Sequence, residues 1–238
     1  MYNIIRKLIE CGARIRHTAA ALLLVFFVSG CSVNAVRVKL EKNGNENDTE
    51  KVKIETPVIT GMKKSFTDEI NAQMSDIITS KTESFRETAQ KTQNDRSCKA
   101  ELEISTEVKY NKKNLLSFVI EAYEYTSGFN GASSRYAVTI DAAEEKQLQL
   151  CDLFCDEEYK DMLNARLEKL SLTDEYSDIW EKPVVGEAQN ENFYLSNGGL
   201  VLYYKPYELS YYSRGFVEFT IPYSELYGYL KPEYAVLY

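Results

Sequence analysis

Glu101-Leu102-Glu103-Ile104-Ser105-Thr106-Glu107-Val108-Lys109-Tyr110 is the stretch on which the fold class turns. Leu102, Ile104, Thr106, Val108 and Tyr110 alternate with Glu101, Glu103, Ser105, Glu107 and Lys109, a period of two. That period predicts a strand with one face on a core and the other in water. Asn111 to Asn114 turns the chain into an apolar run over residues 115–126, and Gly128 to Ser134 turns it again into residues 135–140. Three consecutive strands joined by short polar turns predict an antiparallel meander. A short connection leads on to Leu148-Gln149-Leu150.

Upstream, residues 51–59 alternate Val52 and Ile54 with charged neighbours, and Pro57 confines this strand to a sheet edge or a strand end. Beyond Gly61, Met62, Phe66, Ile70, Met74, Ile77, Ile78, Phe85 and Ala89 fall on one helical stripe. This predicts a long amphipathic helix over 65–90, with Ser65 and Asp68 as its start signal. Downstream, Tyr159, Met162, Leu163, Leu167 and Leu170 mark a second amphipathic helix. Asp156, Glu157 and Glu158 stand where acids favour its dipole. Residues 192–196 and 200–204 flank Asn197-Gly198-Gly199, a hairpin signal because Asn-Gly accepts positive φ at low cost. Residues 215–221 alternate once more and end at Pro222. The expected class is α+β: antiparallel sheets with two amphipathic helices.

The chain has 238 residues. Arg6, Lys7, Arg14 and Arg16 precede the apolar run from Ala19 to Val28. Ten helical residues span ~15 Å, about half a bilayer core, which fits a secretory signal rather than a membrane span. The segment Val28-Ser29-Gly30-Cys31 that follows resembles the bacterial lipobox, with Val28 in place of the usual Leu. The resemblance implies cleavage just before Cys31 and a diacylglyceryl group on its sulfur, two chains being enough for lasting attachment. Residues 1–31 are thus expected to be a lipoprotein signal peptide, and the chain to sit on the outer face of a bacterial cytoplasmic membrane. Residues 32–50, with Asn-Gly-Asn-Glu-Asn-Asp-Thr-Glu at 43–50, are expected to be a flexible tether spanning ~24 Å. The alternative is a first strand at Val36, Val38 and Leu40. About 188 residues remain to pack, enough for one large domain or two small interlocked halves.

Charge and composition exclude several function classes. Lys and Arg number 28 and Asp and Glu 36; without residues 1–31 the balance is 24 against 35, a net charge of −11. Such a surface repels phosphate backbones, so no nucleic-acid partner is expected. The one histidine, His17, lies in the signal segment. The mature chain therefore lacks an imidazole for a triad, a general base or a His-ligated metal, and no cofactor or metal is expected.

The stretch Phe193-Tyr-Leu-Ser-Asn-Gly-Gly-Leu-Val-Leu-Tyr-Tyr-Lys-Pro-Tyr-Glu-Leu209, followed by Phe219-Thr-Ile-Pro-Tyr-Ser-Glu-Leu226, resembles the C-terminal domain of RsiV-like anti-sigma factors and many envelope proteins. Leu148-Gln149-Leu150-Cys151-Asp152-Leu153-Phe154 is similar to a strand-to-helix passage of the non-catalytic domain in PdaC-type polysaccharide deacetylases. Together these resemblances imply an extracytoplasmic module with a PdaC-like part over 51–154 and an RsiV-like part over 155–238. PdaC enzymes keep catalysis in a separate domain with His ligands, and this chain has neither. Some RsiV-type ectodomains bind lysozyme, but their contact loops find no residue-by-residue match here. Asn130-Gly131-Ala132-Ser133 also departs from the Gly-Gly-Ala-His turn frequent in the family. The expectation is a non-catalytic binding or sensing module for a lysozyme-like protein or cell-wall glycan. The alternatives are a structural or regulatory partner of another membrane protein, or a carboxylate-only hydrolase.

Tyrosine is the compositional anomaly: 18 in all, 11 of them in the last 46 residues. Tyr207, Tyr211 and Tyr212, in the irregular connection 205–214, are candidate ligand-binding residues, because tyrosine offers rigid area with a hydroxyl. Arg214 is a candidate carboxylate contact, with a surface ion pair as its plainer role. Of Tyr203 and Tyr204 one must point inward, and Tyr223 is expected in the core. Cys98, Cys151 and Cys155 form an odd set that cannot all pair with one another. Cys151 could bridge Cys155, either could meet Cys98, or the thiols could be free and buried. Glu121, Glu124, Asp152, Glu218 and Glu225 stand near strand ends and are the acids from which a two-carboxylate site would be drawn.

Overall fold

The computed structural model describes residues 36–95, 98–128 and 130–237. The expected signal peptide, the lipidated Cys31 and the start of the tether lie outside the described residues. Among the described residues nine strands and two α-helices follow in chain order: β1 (Arg37–Glu46), β2 (Glu50–Thr60), α1 (Lys64–Lys91), β3 (Ala100–Lys112), β4 (Leu115–Tyr125), β5 (Ala132–Asp141), β6 (Lys146–Gln147), α2 (Glu158–Ser171), β7 (Phe193–Leu195), β8 (Leu200–Tyr204) and β9 (Val217–Ile221). The first six form one sheet in the order β1-β2-β3-β4-β5-β6, and the last three form a second. The class is α+β. Among the described residues no helix is long and apolar enough to cross a membrane.

The tether reading of residues 32–50 is corrected by β1, which pairs with β2 from Arg37 opposite Thr60 to Glu46 opposite Lys51. A polar strand is stable there because the ladder to β2 pairs one side of its backbone and Val36 and Val38 join the core under α1, with Leu40 half-buried. Gly44 is required by close approach, since a Cβ on it would lie 2.5 Å from the Val52 carbonyl oxygen. Pro57 is therefore not at the sheet edge. It sits in the part of β2 beyond Ile54 that pairs with β1 alone, where its missing N–H interrupts no ladder to β3.

Every pairing is antiparallel except β2 with β3, which the long α1 crossover brings side by side in parallel from Glu50 opposite Ala100 to Ile54 opposite Ile104. Where β3 has parted from β2, the Asn71 side chain of α1 takes its place. Its Oδ1 accepts from Ile59 N at 2.8 Å and its Nδ2 donates to Ile59 O at 2.9 Å. Helix α1 buries Phe66, Ile70, Met74, Ile78, Thr82, Phe85 and Ala89, the expected stripe with Thr82 added and with Met62, ahead of the helix, and Ile77 only half-buried. Thr82 is accommodated because its hydroxyl donates to Ile78 O at 2.7 Å. Ser65 is not the cap: the cap position is Lys63, with no side-chain bond.

In β3 the period of two holds as far as a bulge between Val108 and Tyr110. One extra residue, Lys109, reverses the facing beyond it. Leu102 and Ile104 pack beneath α1, while Tyr110 enters the core of the second sheet and Val108 is left exposed. The tight turn that follows has Lys113 and Asn114 both at positive φ, 54° and 65°, the two-residue type I′ geometry. The Asn-Gly-Gly turn works differently. Only Gly199 is at positive φ, and a Cβ there would lie 2.2 Å from the Ile221 carbonyl oxygen.

Strand β4 is buried on both faces. Leu116, Phe118, Ile120 and Ala122 meet α1, while Leu115 and Val119 meet the second sheet. Ser117 joins the two sheets directly, accepting from Leu195 N at 3.0 Å and lying 2.8 Å from the Thr139 hydroxyl. The second sheet in turn covers α2, whose Tyr159, Leu163 and Leu167 share a core with Phe219 and Ile221. As the middle strand between these layers, β8 buries both Tyr203 and Tyr204, not one of the pair. Tyr223 is buried as expected. The three thiols are free, and Cys98 and Cys155 are exposed rather than buried; Cys151 is half-buried.

Candidate functional site

The connection from β8 to β9 opens with a turn. Glu208 N donates to Lys205 O at 3.0 Å, and the Glu208 carboxylate accepts from Lys205 N at 2.6 Å. Pro206 fixes the second position and Tyr207 occupies the third at φ 72°. A proline followed by positive φ defines a type II turn, whose third position ordinarily belongs to glycine. Tyr207 holds it with 68% of its surface exposed. An aromatic side chain there carries backbone strain of order 1–3 kcal/mol with no burial in return.

The next two residues anchor the connection. Leu209 is buried and its carbonyl accepts from Trp180 N at 3.1 Å. Ser210 is buried and its hydroxyl contacts Asp178 O at 2.9 Å and Asp178 Oδ2 at 3.1 Å. Held this way, Tyr211 projects outward, 63% exposed, and meets Trp180 edge-to-face with ring centroids 4.4 Å apart. Trp180 is itself 48% exposed. Tyr212 packs beside Tyr207 at 5.2 Å and donates its hydroxyl to Gly131 O, which ties the connection to the β4–β5 turn. Arg214 pairs with Asp178 at 3.0 Å and donates to Glu175 O at 3.0 Å, so its guanidinium is engaged within the chain.

Of the four residues singled out in the sequence, the structure pairs Tyr207 with Tyr212, sets Tyr211 against Trp180 instead, and engages Arg214 with Asp178 and Glu175. Trp180 was missed. It is the one tryptophan of the chain, set among Asp178, Glu181, Lys182 and Pro183, and an apolar giant in so polar a loop is the signal that could have found it.

The two sheets are joined by Arg135 of β5, whose side chain is only 8% exposed. It pairs with Glu121 of β4 and Glu218 of β9, and its Nε donates to Glu121 at 2.7 Å. Its guanidinium carbon lies 4.2 Å from the Phe216 ring centroid and 5.0 Å from that of Tyr203. Burial opposes the charge of Arg135, but Glu218 and then Glu121 overcome it and hold its pKa above the ordinary value. Tyr194 donates to Glu218 at 2.9 Å, and burial, with the Glu218 charge next, pushes its phenol up. The other acids considered for catalysis are also paired: Glu124 with Lys81 at 2.7 Å, Asp152 with Lys146 at 2.5 Å and Glu225 with Arg166 at 2.8 Å.

A two-part α+β module with an exposed aromatic connection is the class that this architecture defines. Within it, residues 43–133 match the family model described as Deacetylase PdaC, and residues 151–224 match the one described as Protein of unknown function (DUF3298). The turn at 205–208 and the connection after it fall inside the second match. Among solved structures, a crystal structure of a DUF3298 family member from Bacteroides fragilis is 19% identical, with a TM-score of 0.65 over 86% of this chain and 97% of that one. A DUF3298 family protein from Pseudomonas aeruginosa is 16% identical, with a TM-score of 0.60 over 84% of this chain and 95% of that one. At such identities the likeness is one of fold. No curated protein matches the sequence.

Proposed function

We propose that this chain is a lipid-anchored, extracytoplasmic, non-catalytic binding module that recognises an envelope or host protein, of the lysozyme-like kind, through Trp180, Tyr207 and Tyr211. The observation that carries this reading is Tyr207, an exposed aromatic kept at a strained backbone position where glycine would be free of strain. Tryptophan and tyrosine are the residues that dominate protein interfaces. The net charge of −11 left after residues 1–31 favours encounter with a cationic partner over an anionic one. Each acid considered for hydrolysis is held by a cation, which supports contact rather than catalysis. Anchoring rests on Val28-Ser29-Gly30-Cys31 and its resemblance to the lipobox.

Tyr207→Gly separates fold from function. The substitution relieves the turn and is expected to raise stability by about 1 kcal/mol, read as a higher urea midpoint. The same variant of the full chain is expected to lose about tenfold or more in affinity for lysozyme, the size of a modest interface hot spot. Unchanged lysozyme affinity in Tyr207→Gly, or no saturable lysozyme binding by the unaltered chain, would remove the support for this partner. Anchoring has its own test. The mature protein should begin at a diacylglyceryl-modified Cys31 by mass spectrometry, and an unmodified chain retaining Met1 would defeat it.

A further inference from the structure

A recess lies beside the start of the aromatic connection and shares only Lys205 with it. It has a volume of about 620 Å³ and opens between α1, β5, β6 and the segment leading into β7. That size falls within the ~300–1,000 Å³ of small-molecule sites. Its lining is unusual in its free groups. Gln73 of α1, Gln147 of β6, and Asn190 and Asn192 ahead of β7 all face it, and none of these four carboxamides is engaged by another group of the described chain. Asn192 is 6% exposed, and its buried Nδ2 has no acceptor. An amide donor in that state is costly unless something in the recess accepts from it.

Most of the charge around the recess is paired within the chain. Arg135 is neutralised by Glu121 and Glu218, and Lys146 by Asp152. Lys205 and Glu191 also line it and cancel in formal charge, so together they give the recess no net charge with which to hold a phosphate or a carboxylate. What remains free are groups that both donate and accept without charge, beside the ring of Tyr136, which is 41% exposed. Hydroxyl and acetamido groups are matched by such a set, and a pyranose ring lies well on a phenol face. We infer that this recess binds a short uncharged saccharide, held by Gln73, Gln147, Asn190 and Asn192 against Tyr136. The site is distinct from the Trp180–Tyr211 surface and does not depend on that surface's assignment.

The test is calorimetric titration of the full chain with chitotriose, with cellotriose, and with glucose 6-phosphate as an anionic control. Saturable binding of either neutral trisaccharide, and not of the sugar phosphate, is expected. The double variant Gln73→Ala/Gln147→Ala, at an exposed and a half-buried position, should weaken that binding about tenfold or more, the loss of one to two hydrogen bonds, while keeping the wild-type melting temperature. Asn192→Ala should weaken it further, and Tyr207→Gly should leave it unchanged. No saturable binding of either trisaccharide would overturn the inference. So would binding that survives the double variant but is lost in Tyr207→Gly, since the sugar would then sit on the aromatic connection. Loss of lysozyme binding in Tyr207→Gly with saccharide binding intact would uphold both readings separately.

Discussion

Raising the pH from about 9 to about 12 is expected to unfold the chain in one cooperative step, driven by its tyrosines. Eight of them, Tyr110, Tyr159, Tyr176, Tyr194, Tyr203, Tyr204, Tyr223 and Tyr234, have phenols pushed above their ordinary value, with burial the leading cause in every case. Tyr203 is pushed up to about 12. In the unfolded chain each ionises near pH ~10. Between the two values the folded state keeps a proton that the unfolded state has released, so stability falls as pH rises. The stabilising contribution is complete below about pH 10 and is lost at about 1.4 kcal/mol per pH unit for each tyrosine. Tyr203 alone surrenders about 3 kcal/mol on the way to pH 12. Several such groups together exceed the ~5–15 kcal/mol that holds a domain folded.

The hydrogen bonds point the same way. Tyr204 donates to Val184 O, Tyr223 to Ser196 O, Tyr176 to Glu218 O and Tyr194 to the Glu218 carboxylate. Each phenolate would face an oxygen it could no longer donate to. Tyrosinate absorbance and far-ultraviolet circular dichroism should therefore change together in a steep transition above pH ~10. Gradual ionisation centred near pH ~10 with the dichroism intact would mean that these rings are open to water.

What was legible in the sequence is what periodicity and turn chemistry control. The alternation in β3, the stripe of α1 and the paired runs around Asn197-Gly198-Gly199 each fix a local conformation from neighbouring residues alone. Strand β1 stood only as the alternative to a tether, at Val36, Val38 and Leu40, because its ladder is supplied by β2 and nothing in Asn43-Gly44-Asn45-Glu46 announces a partner. The bulge at Lys109 was hidden for a related reason. It becomes visible only once Val108 and Tyr110 are set against Phe118 and Ser117. Composition led to Tyr207, Tyr211 and Tyr212, but the strain at Tyr207 follows from the φ of a particular turn. The saccharide recess had no motif at all. Its carboxamides come from α1, β6 and the approach to β7, more than a hundred positions apart at the extremes, and Asn and Gln have no diagnostic spacing.

Arg135→Met is expected to cost about 3 kcal/mol, the largest effect of any single substitution argued here. Among the described residues Arg135 is the one cation set against both Glu121 and Glu218, and it reaches the first from β5 and the second across to β9. Removing it leaves two acids facing each other with the Tyr194 hydroxyl as the remaining partner of Glu218. It also removes the guanidinium from beside the Tyr203 and Phe216 rings. The cost falls at the lower end of the ~3–5 kcal/mol for a broken buried pair, because Glu121 and Glu218 keep 41% and 35% exposure and water screens their repulsion. If uncompensated charge is the cause, adding Glu121→Gln and Glu218→Gln to Arg135→Met should recover most of the loss in urea denaturation. Arg135→Lys should recover little, since an ammonium cannot fork between two carboxylates while also lying against aromatic rings. A triple variant as unstable as the single one would assign the role of Arg135 to packing alone. The two sheets would then be held by Ser117 and the apolar contacts around Val119, with no electrostatic contribution at their seam.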